Sequence, residues 1–386
     1  MLKAYKYRLY PDKKQQELLA KHFGHARHVY NWALEAKKKT YEETGKSLSK
    51  RALQDQLVLM KRTEKPWLSE VNSQTLLAAL MNLEKAFINF FAKRASFPKR
   101  KKKYDSHQSF QCPQHVKVDA ELNLLHLPKI KAIKASYHRM FTGTVKTVTI
   151  SKVPSGKYFA SILIDNQEPI ATPSCIEADK TSGLDMGLTH YLISSEGDKK
   201  EHPKHLRSSL LQLVKSHQQL SRKKVKDTHN RAKQKMLLAK KHEKVANRRH
   251  AHIHQLSAIL AYKNQETSFA VEDLHIKGMI RNRKLSQAIG DSGWGKFISC
   301  LKYKCEWSGK NLLTINRFLP TSKICHVCDR KREKLPLSVR EWQCDSCFAV
   351  HDRDINAAKN IKAFALADTR GSSVCVKQFP CSDNVQ

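Results

Sequence analysis

CHVCDRKREKLPLSVREWQCDSCFAVHDRDINAAKN, residues Cys325 to Asn360, sets two unlike kinds of metal chemistry side by side. Cys325-x-x-Cys328 and Cys344-x-x-Cys347 are separated by fifteen residues, the spacing of a ribbon that places four thiolates around one Zn2+. Four cysteines fill every coordination position and leave none for water, so the expected zinc is structural. Binding it closes a loop too polar to fold unaided. Directly after the second knuckle comes His351-Asp352-Arg353-Asp354-Ile355-Asn356, an acidic segment that a structural zinc does not need.

That acidic segment stands out because the chain is strongly basic. Seventy-one Lys and Arg against 35 Asp and Glu leave a net charge of +36 and a pI near 9.9. So positive a field repels itself unless a polyanion neutralises it, and each neutralised phosphate releases a counterion. Nucleic acid is the expected partner. No apolar run approaches the roughly 18 residues of a spanning helix, and the first residues carry no signal-peptide core, so no membrane partner and a cytoplasmic setting are expected. Cys112, Cys175, Cys300, Cys305, Cys375 and Cys381 lack metal-ligand spacing and read as reduced thiols without a role.

Local patterning divides the chain. Ala4 to Tyr10 alternates like a strand, and Pro11-Asp12 ends it. Leu18, Leu19, Phe23, Ala26, Val29, Tyr30 and Ala33 then recur at helical spacing, with Gly24 marking a turn between two helices. Further helices are predicted over 49–60 and after Ser73, where Leu76, Leu80, Leu83, Phe87 and Phe90 form one face. Lys99-Arg100-Lys101-Lys102-Lys103 follows as a basic run. From about Ser109 the period becomes two, with strands predicted at 116–118, 122–127, 144–151 and 157–164. A small β-barrel that includes the first strand, with the helices inserted into it, accounts for this order. Residues 166–179, with Pro169 and Pro173, read as a linker.

The second half opens with strands around Gly183-Leu184-Asp185 and Tyr191–Ser195. Residues 201–255 hold fifteen Lys or Arg, eight His and three acids. Leu206, Leu210, Leu213 and Leu220, then Leu238, Val245, Leu256 and Ile259, make this an amphipathic helical hairpin whose outer face is cationic. A solvated coiled coil would intersperse Glu. Ser268 to Leu274 gives another strand ending in acid, followed by a basic loop from Lys277 to Lys284, a helix over 295–308 and a strand at 312–316.

Asp185, Glu272 and Asp354 each end or follow such a segment. Carboxylates brought together repel unless a cation sits among them. Mg2+ or Mn2+ favours such oxygen ligands, and a pair of ions about 4 Å apart serves phosphodiester hydrolysis. Lys and Arg would then hold the polyanion and the acids the metal. By spacing alone, three scattered acids are an ordinary surface feature.

GLDMG at 183–187, VEDL at 271–274, the paired knuckles and HDRDINAAKNI at 351–361 resemble the TnpB (OrfB) family of insertion-sequence proteins. The likeness extends to the YRLYP start and its helix through Asn31-Trp32, to Asn247-Arg248-Arg249, and to KGMIRNRKLSQAI at 277–289. It covers the chain to about residue 365. The family derives from the RuvC/RNase H fold and is related to type V CRISPR effector nucleases. The resemblance implies an α/β multi-domain chain. A β-barrel domain (1–10 and 104–178) would carry a helical insertion (11–103). A RuvC-like, RNase H-like nuclease domain (179–320, including the hairpin at 201–262, and 351–367) would carry the zinc ribbon (321–350), with a tail at 368–386. It implies a transposon-encoded, RNA-guided DNA endonuclease of prokaryotes, whose partners are a guide RNA from the transposon end and double-stranded target DNA beside a short flanking motif.

Position within the matching motifs assigns Asp185, Glu272 and Asp354 as the catalytic, magnesium-binding acids, with Asp352 the alternative to Asp354 and Asn356 a supporting residue. Lys99, Arg100 and Lys101 in the basic run, and Arg222, Lys223, Lys224, Arg248 and Arg249 on the hairpin, are candidates for holding guide RNA or heteroduplex. Asp329 and Phe348 stand where a glycine often follows each second knuckle cysteine. Two other functions fit parts of the pattern: a cut-and-paste transposase and a non-catalytic zinc-ribbon regulator. The acid order Asp–Glu–Asp, with the ribbon before the last acid, opposes the first, and three intact acidic motifs oppose the second.

Overall fold

The computed structural model describes residues 1–223, 228–336 and 338–369. Lys224 and the expected tail from 370 on, with Cys375 and Cys381, lie outside them. The chain divides into two compact units, 1–169 and the residues from Ile170 onward. Residues 170–178, expected with the barrel, fall in the second unit. There the Ser174 N–H donates to the Gly309 carbonyl (2.8 Å), and Asn311 Nδ2 donates to the Ser174 carbonyl (2.9 Å).

In the first unit β1 (Leu2–Tyr10) is followed by α1 (Lys13–Thr44), α2 (Lys50–Arg62) and α3 (Ser73–Phe91). Six strands complete it: β2 (Gln108–Cys112), β3 (Lys117–Asp119), β4 (Leu124–Leu127), β5 (Ile130–Ser136), β6 (Thr144–Lys152) and β7 (Tyr158–Asp165). They form one antiparallel sheet in the order β2-β6-β7-β1-β5-β4-β3. The first strand is therefore its middle, and the helices enter the sheet between β1 and β2.

No ladder joins β2 to β3 among the described residues, so hydrogen bonding does not close the expected barrel. The sheet is nonetheless curled. Seven flat strands at about 4.8 Å each would hold the outer two roughly 29 Å apart, whereas the link from Cys112 to Lys117 reaches at most about 18 Å. β3 is only three residues long, and the outer strand β2 is engaged by α3, through Asn82 Nδ2 donating to Gln111 Oε1 (3.2 Å).

The helix-turn-helix reading of residues 12–33 is corrected by α1, which runs through Gly24 for 32 residues. Its ends are chemically defined. Asp12 and Gln15 exchange side-chain and backbone hydrogen bonds in a capping box, and Gly45 closes the helix at φ 67°. Between them Leu19, Phe23, Ala26, Val29, Tyr30, Ala33 and Leu34 keep one buried face against α3 and the sheet. The apolar period continues across Gly24, and a glycine costs a helix only ~1 kcal/mol.

The second unit is built on β8 (Thr181–Asp185), β9 (His190–Ser194), β10 (Lys199–Glu201), β11 (Ser268–Glu272) and β12 (Asn311–Ile315), ordered β10-β9-β8-β11-β12. The first three strands are antiparallel, and β8, β11 and β12 are parallel. Between β10 and β11 the hairpin of α4 (His205–Ser221) and α5 (Thr228–Lys263) rises, its seam formed by Leu213, Leu238 and Val245. After β11 come the short α6 (Ile276–Met279) and α7 (Ser286–Ser292), then α8 (Trp294–Ser308). The ribbon contains β13 (Glu341–Gln343) and β14 (Val350–Asp352), and α9 (Arg353–Thr369) ends the unit.

Alternation splits the central strands between two cores. Leu184, Phe269 and Val271 pack with Leu256 and Leu260 of α5 and Phe297 and Leu301 of α8. Ala270 faces the other way, with Ile361 and Ala365 of α9. Buried on both faces, these strands read as continuous apolar runs. None of the described helices is long and apolar enough to cross a membrane.

Gly24→Ala tests the continuous α1. A Cβ at Gly24 would find only the Arg27 guanidinium, at 3.8 Å. The substitution is expected to stabilise the first unit by ~1 kcal/mol, read as a rise in its thermal midpoint; a turn at Gly24 would show a fall.

Candidate active site and metal centre

Strand register carries two of the three acids to one place. Val271 of β11 is paired with Leu184 of β8, so the next residues, Glu272 and Asp185, are neighbours at the same end of parallel strands about 4.8 Å apart. Two residues before Asp185, on the same face, Gly183 meets α9. A Cβ there would lie 2.0 Å from the Ala358 carbonyl oxygen, so only glycine allows the helix this close. Asp354 sits one turn before Ala358, in the first turn of α9, and thus over the end of β8.

The electrostatics follow. Burial pushes the Asp185 carboxyl up to about 7, Glu272 and then Asp354 add their repulsion, and the Met186 N–H and Arg353 oppose the rise. Asp352 is committed elsewhere: its Oδ1 accepts from the N–H groups of Asp354 (3.0 Å) and Ile355 (3.1 Å), and its Oδ2 pairs with Lys199 at 2.6 Å. It caps α9, while Asp354 is the carboxylate coupled to Asp185. Thr321 Oγ1 donates to Glu272 Oε1 at 2.6 Å, and Arg340 Nη1 lies 3.4 Å from Asp354 Oδ1.

The four knuckle sulfurs lie within 4.8 Å of one another. Cys325 to Cys347 and Cys328 to Cys344 are each 3.6 Å, close to the ~3.8 Å edge of a tetrahedron with 2.3 Å Zn–S bonds. The donor set fits zinc. The two knuckles share one hydrogen-bond plan: the N–H of Asp329 donates to the Cys325 carbonyl, and that of Phe348 to the Cys344 carbonyl, at 2.9 and 3.1 Å. Both residues adopt φ 58°, the left-handed conformation that glycine would supply. Backbone N–H groups of Cys347 and Ser346 hold the Cys344 thiol below its ordinary range, favouring the thiolate. His351 Nε2 lies 3.0 Å from Cys325 Sγ.

Asn356, expected beside the acids, serves the ribbon instead. Its Nδ2 donates to the Ile324 carbonyl at 2.7 Å, and its Oδ1 accepts from the His326 N–H at 3.1 Å. Asn360, one turn on, donates to the Thr321 and Ile324 carbonyls, both at 2.7 Å. The i, i+4 pair of asparagines on an otherwise apolar helix face was a readable signal for this clamp; Thr321, in a short polar turn, offered none.

The candidate cationic residues divide. Lys99, Arg100 and Lys101 are exposed in their run. Asn31 holds that run to α1 through both backbone groups of Lys101, and Lys101 Nζ lies 4.2 Å above the Tyr30 ring. Arg100 pairs with Glu35 at 3.1 Å. On the hairpin Arg222 and Arg248 are exposed and Lys223 is half-buried, its carbonyl accepting from Arg231. Arg249 is the exception: it pairs with buried Asp291 at 2.7 Å, and Asp291 also accepts from the Leu206 N–H. Its charge joins the hairpin to α7.

Known proteins share this chain along its length. Residues 1–46 match the family model of a helix-turn-helix domain, 161–283 that of a "Probable transposase", and 294–361 that of a Cas12f1-like TNB domain. The first name contrasts with the single long helix found here. A Streptomyces pristinaespiralis protein named "Putative RNA-guided DNA endonuclease" is 38% identical over 95% of this chain and 90% of its own length. The Escherichia coli K12 relative of the same description, InsQ, is 31% identical over 94% and 92%. A cryo-EM structure of a Cas12f1–sgRNA–target DNA complex aligns with a TM-score of 0.58 over 94% of this chain and 98% of that one; at 11% identity the likeness is one of fold.

The raised Asp185 carboxyl gives a stability test with a definite sign. An unfolded Asp ionises near 4, so without divalent cations the folded chain retains a proton between about 4 and 7 that the unfolded chain has lost. The stability linked to this group is full at low pH and falls as pH rises through that window. Asp185→Asn should therefore raise the thermal midpoint more at pH 8 than at pH 5 in magnesium-free buffer. A pH-independent gain, or a loss, would contradict the clustered acids.

Proposed function

The chain belongs to the TnpB (OrfB) family of insertion-sequence proteins, and on that premise we propose that it is a transposon-encoded, RNA-guided DNA endonuclease. The observation that carries the reading is the placement of Asp185, Glu272 and Asp354 at one end of the β10-β9-β8-β11-β12 sheet. Counted from its first strand that order is 3-2-1-4-5, which supports an RNase H-like, RuvC-type nuclease.

In this reading the three carboxylates hold Mg2+ or Mn2+, hard cations that suit oxygen donors. Bound there, the cations would activate water and stabilise the leaving oxygen of a phosphodiester. The chain's own residues prepare the site. Burial first, then repulsion from Glu272 and Asp354, keep Asp185 partly protonated at neutral pH, so a cation bound there would displace that proton. Thr321 donates a hydrogen bond to Glu272, and Asp352 caps the helix that carries Asp354. The four thiolates of the ribbon would hold Zn2+ away from the chemistry and, with no open position, in a structural role.

Substrate recognition divides between base pairing and charge. Guide RNA from the transposon end would read the target sequence, while the protein reads duplex shape and a short flanking motif. Exposed Arg222 and Arg248 of the hairpin, with Lys99, Arg100 and Lys101, would hold phosphate backbones. The curled sheet and its helical insertion would serve the flanking motif. Such a protein works in the prokaryotic cytoplasm, on the nucleoid.

The test is to purify the protein from cells carrying its native locus, sequence the RNA that accompanies it, and assay matched DNA with magnesium. Guide-dependent cutting is expected, reduced roughly 100-fold or more in Asp185→Ala, Glu272→Ala and Asp354→Ala, with Asp352→Ala milder. Guide-independent cutting, or undiminished cutting by Asp185→Ala, would refute the mechanism.

A further inference from the structure

The zinc ribbon and the acids are joined by a run of hydrogen bonds that ends on a single carboxylate oxygen. Thr321 is buried, and its hydroxyl donates to Glu272 Oε1 at 2.6 Å. The Thr321 carbonyl accepts from Asn360 Nδ2, and that same nitrogen donates to the Ile324 carbonyl, each at 2.7 Å. Asn356 Nδ2 adds a second donor to Ile324, whose carbonyl precedes the first zinc ligand, Cys325. Asn356 and Asn360 are 1% and 2% exposed, so these bonds form away from competing water.

We infer that Thr321 is a positioning residue for Glu272, held in place by the zinc knuckle through Asn356 and Asn360 of α9. A glutamate carboxylate swings on three torsions, and fixing it is entropically costly. One donor on Oε1 removes much of that freedom while leaving Oε2 and a lone pair of Oε1 for a cation. Asp185 and Asp354 have shorter side chains on a strand end and a helix start. Glu272 is the acid that most needs an outside hand, and it receives the hydroxyl. The ribbon's fold thereby reaches the cleavage site though its zinc takes no part in the chemistry. Outer partners of this type typically contribute 10–100-fold to metal affinity or activity.

The inference rests on Glu272 as a metal-binding acid, so the experiment begins with Glu272→Gln in the assembled RNA–protein complex. If Glu272→Gln cuts matched DNA normally, the nuclease reading of this residue fails and the relay with it. If it does not cut, Thr321 is tested on its own. Thr321→Val, which keeps the shape and removes the donor, should slow cleavage 10–100-fold with target affinity unchanged. It should also weaken Mn2+ binding about tenfold, read by Mn2+ electron paramagnetic resonance without turnover. Thr321→Ser should restore both, and Asn360→Ala should shift both in the same direction as Thr321→Val while zinc content stays at one per chain. Wild-type rate and Mn2+ affinity in Thr321→Val would overturn the proposal. So would a Thr321→Ser variant as impaired as Thr321→Val, which would assign the residue a packing role. Should Thr321→Val fail to fold, Thr321→Ser and Asn360→Ala decide by the same two measurements.

Discussion

The Ala358 carbonyl of α9 lies where a side chain on β8 would have to be, and Gly183 is what lets it stay there. Almost everything at the candidate site depends on that approach. It sets the last helix against the end of the sheet, so the first turn of α9 delivers Asp354 to Asp185, while β11 delivers Glu272 by register. Packing alone would not gather three carboxylates, since each raises the cost of ionising the next. The apolar contacts of Ala270, Ile315, Ile361 and Ala365 hold the helix and sheet together against that repulsion. The site is thus assembled in a state that a divalent cation would relieve.

The ribbon has the complementary task. Its polar loop has a small core, built around Trp342, Leu335 and the buried cysteines, which four thiolates around zinc would complete. Once folded it engages α9 from both sides: Ile324 and His326 receive the asparagines, and Asp352 at the end of β14 caps the helix. The same α9 therefore faces the sheet with small and apolar residues and the ribbon with amides. On the hairpin Arg249 is spent on buried Asp291, while Arg222 and Arg248 stay exposed along with lysines such as Lys233 and Lys235.

Much of this could be read from the sequence, for identifiable reasons. The knuckles were legible because thiolate spacing is a geometric demand, and the central strands because their apolar runs are bounded by acids. Asp329 and Phe348 departed from glycine without altering the knuckle plan, since both accept positive φ within a strong local hydrogen-bond pattern. Strands β2 and β5 escaped notice: polar residues occupy their outer face, and β2 finds its partner only in β6, well downstream. Gly24 misled because a glycine in a helix costs less than the packing on either side supplies. Place in the motif alone favours Asp354 over Asp352; that Asp352 caps α9 and pairs with Lys199 is visible only in three dimensions, since both are aspartates two positions apart. Thr321 was invisible for a related reason; its role comes from a contact across 49 residues.

The central claim is that Asp185, Glu272 and Asp354 form one divalent-cation site distinct from the ribbon. Anomalous diffraction from crystals of the protein grown with Mn2+, recorded at the manganese and zinc edges, addresses it most directly. The account predicts a manganese peak bounded by these three carboxylates and a separate zinc peak among Cys325, Cys328, Cys344 and Cys347. Zinc in the ribbon with no manganese among the three acids would contradict it.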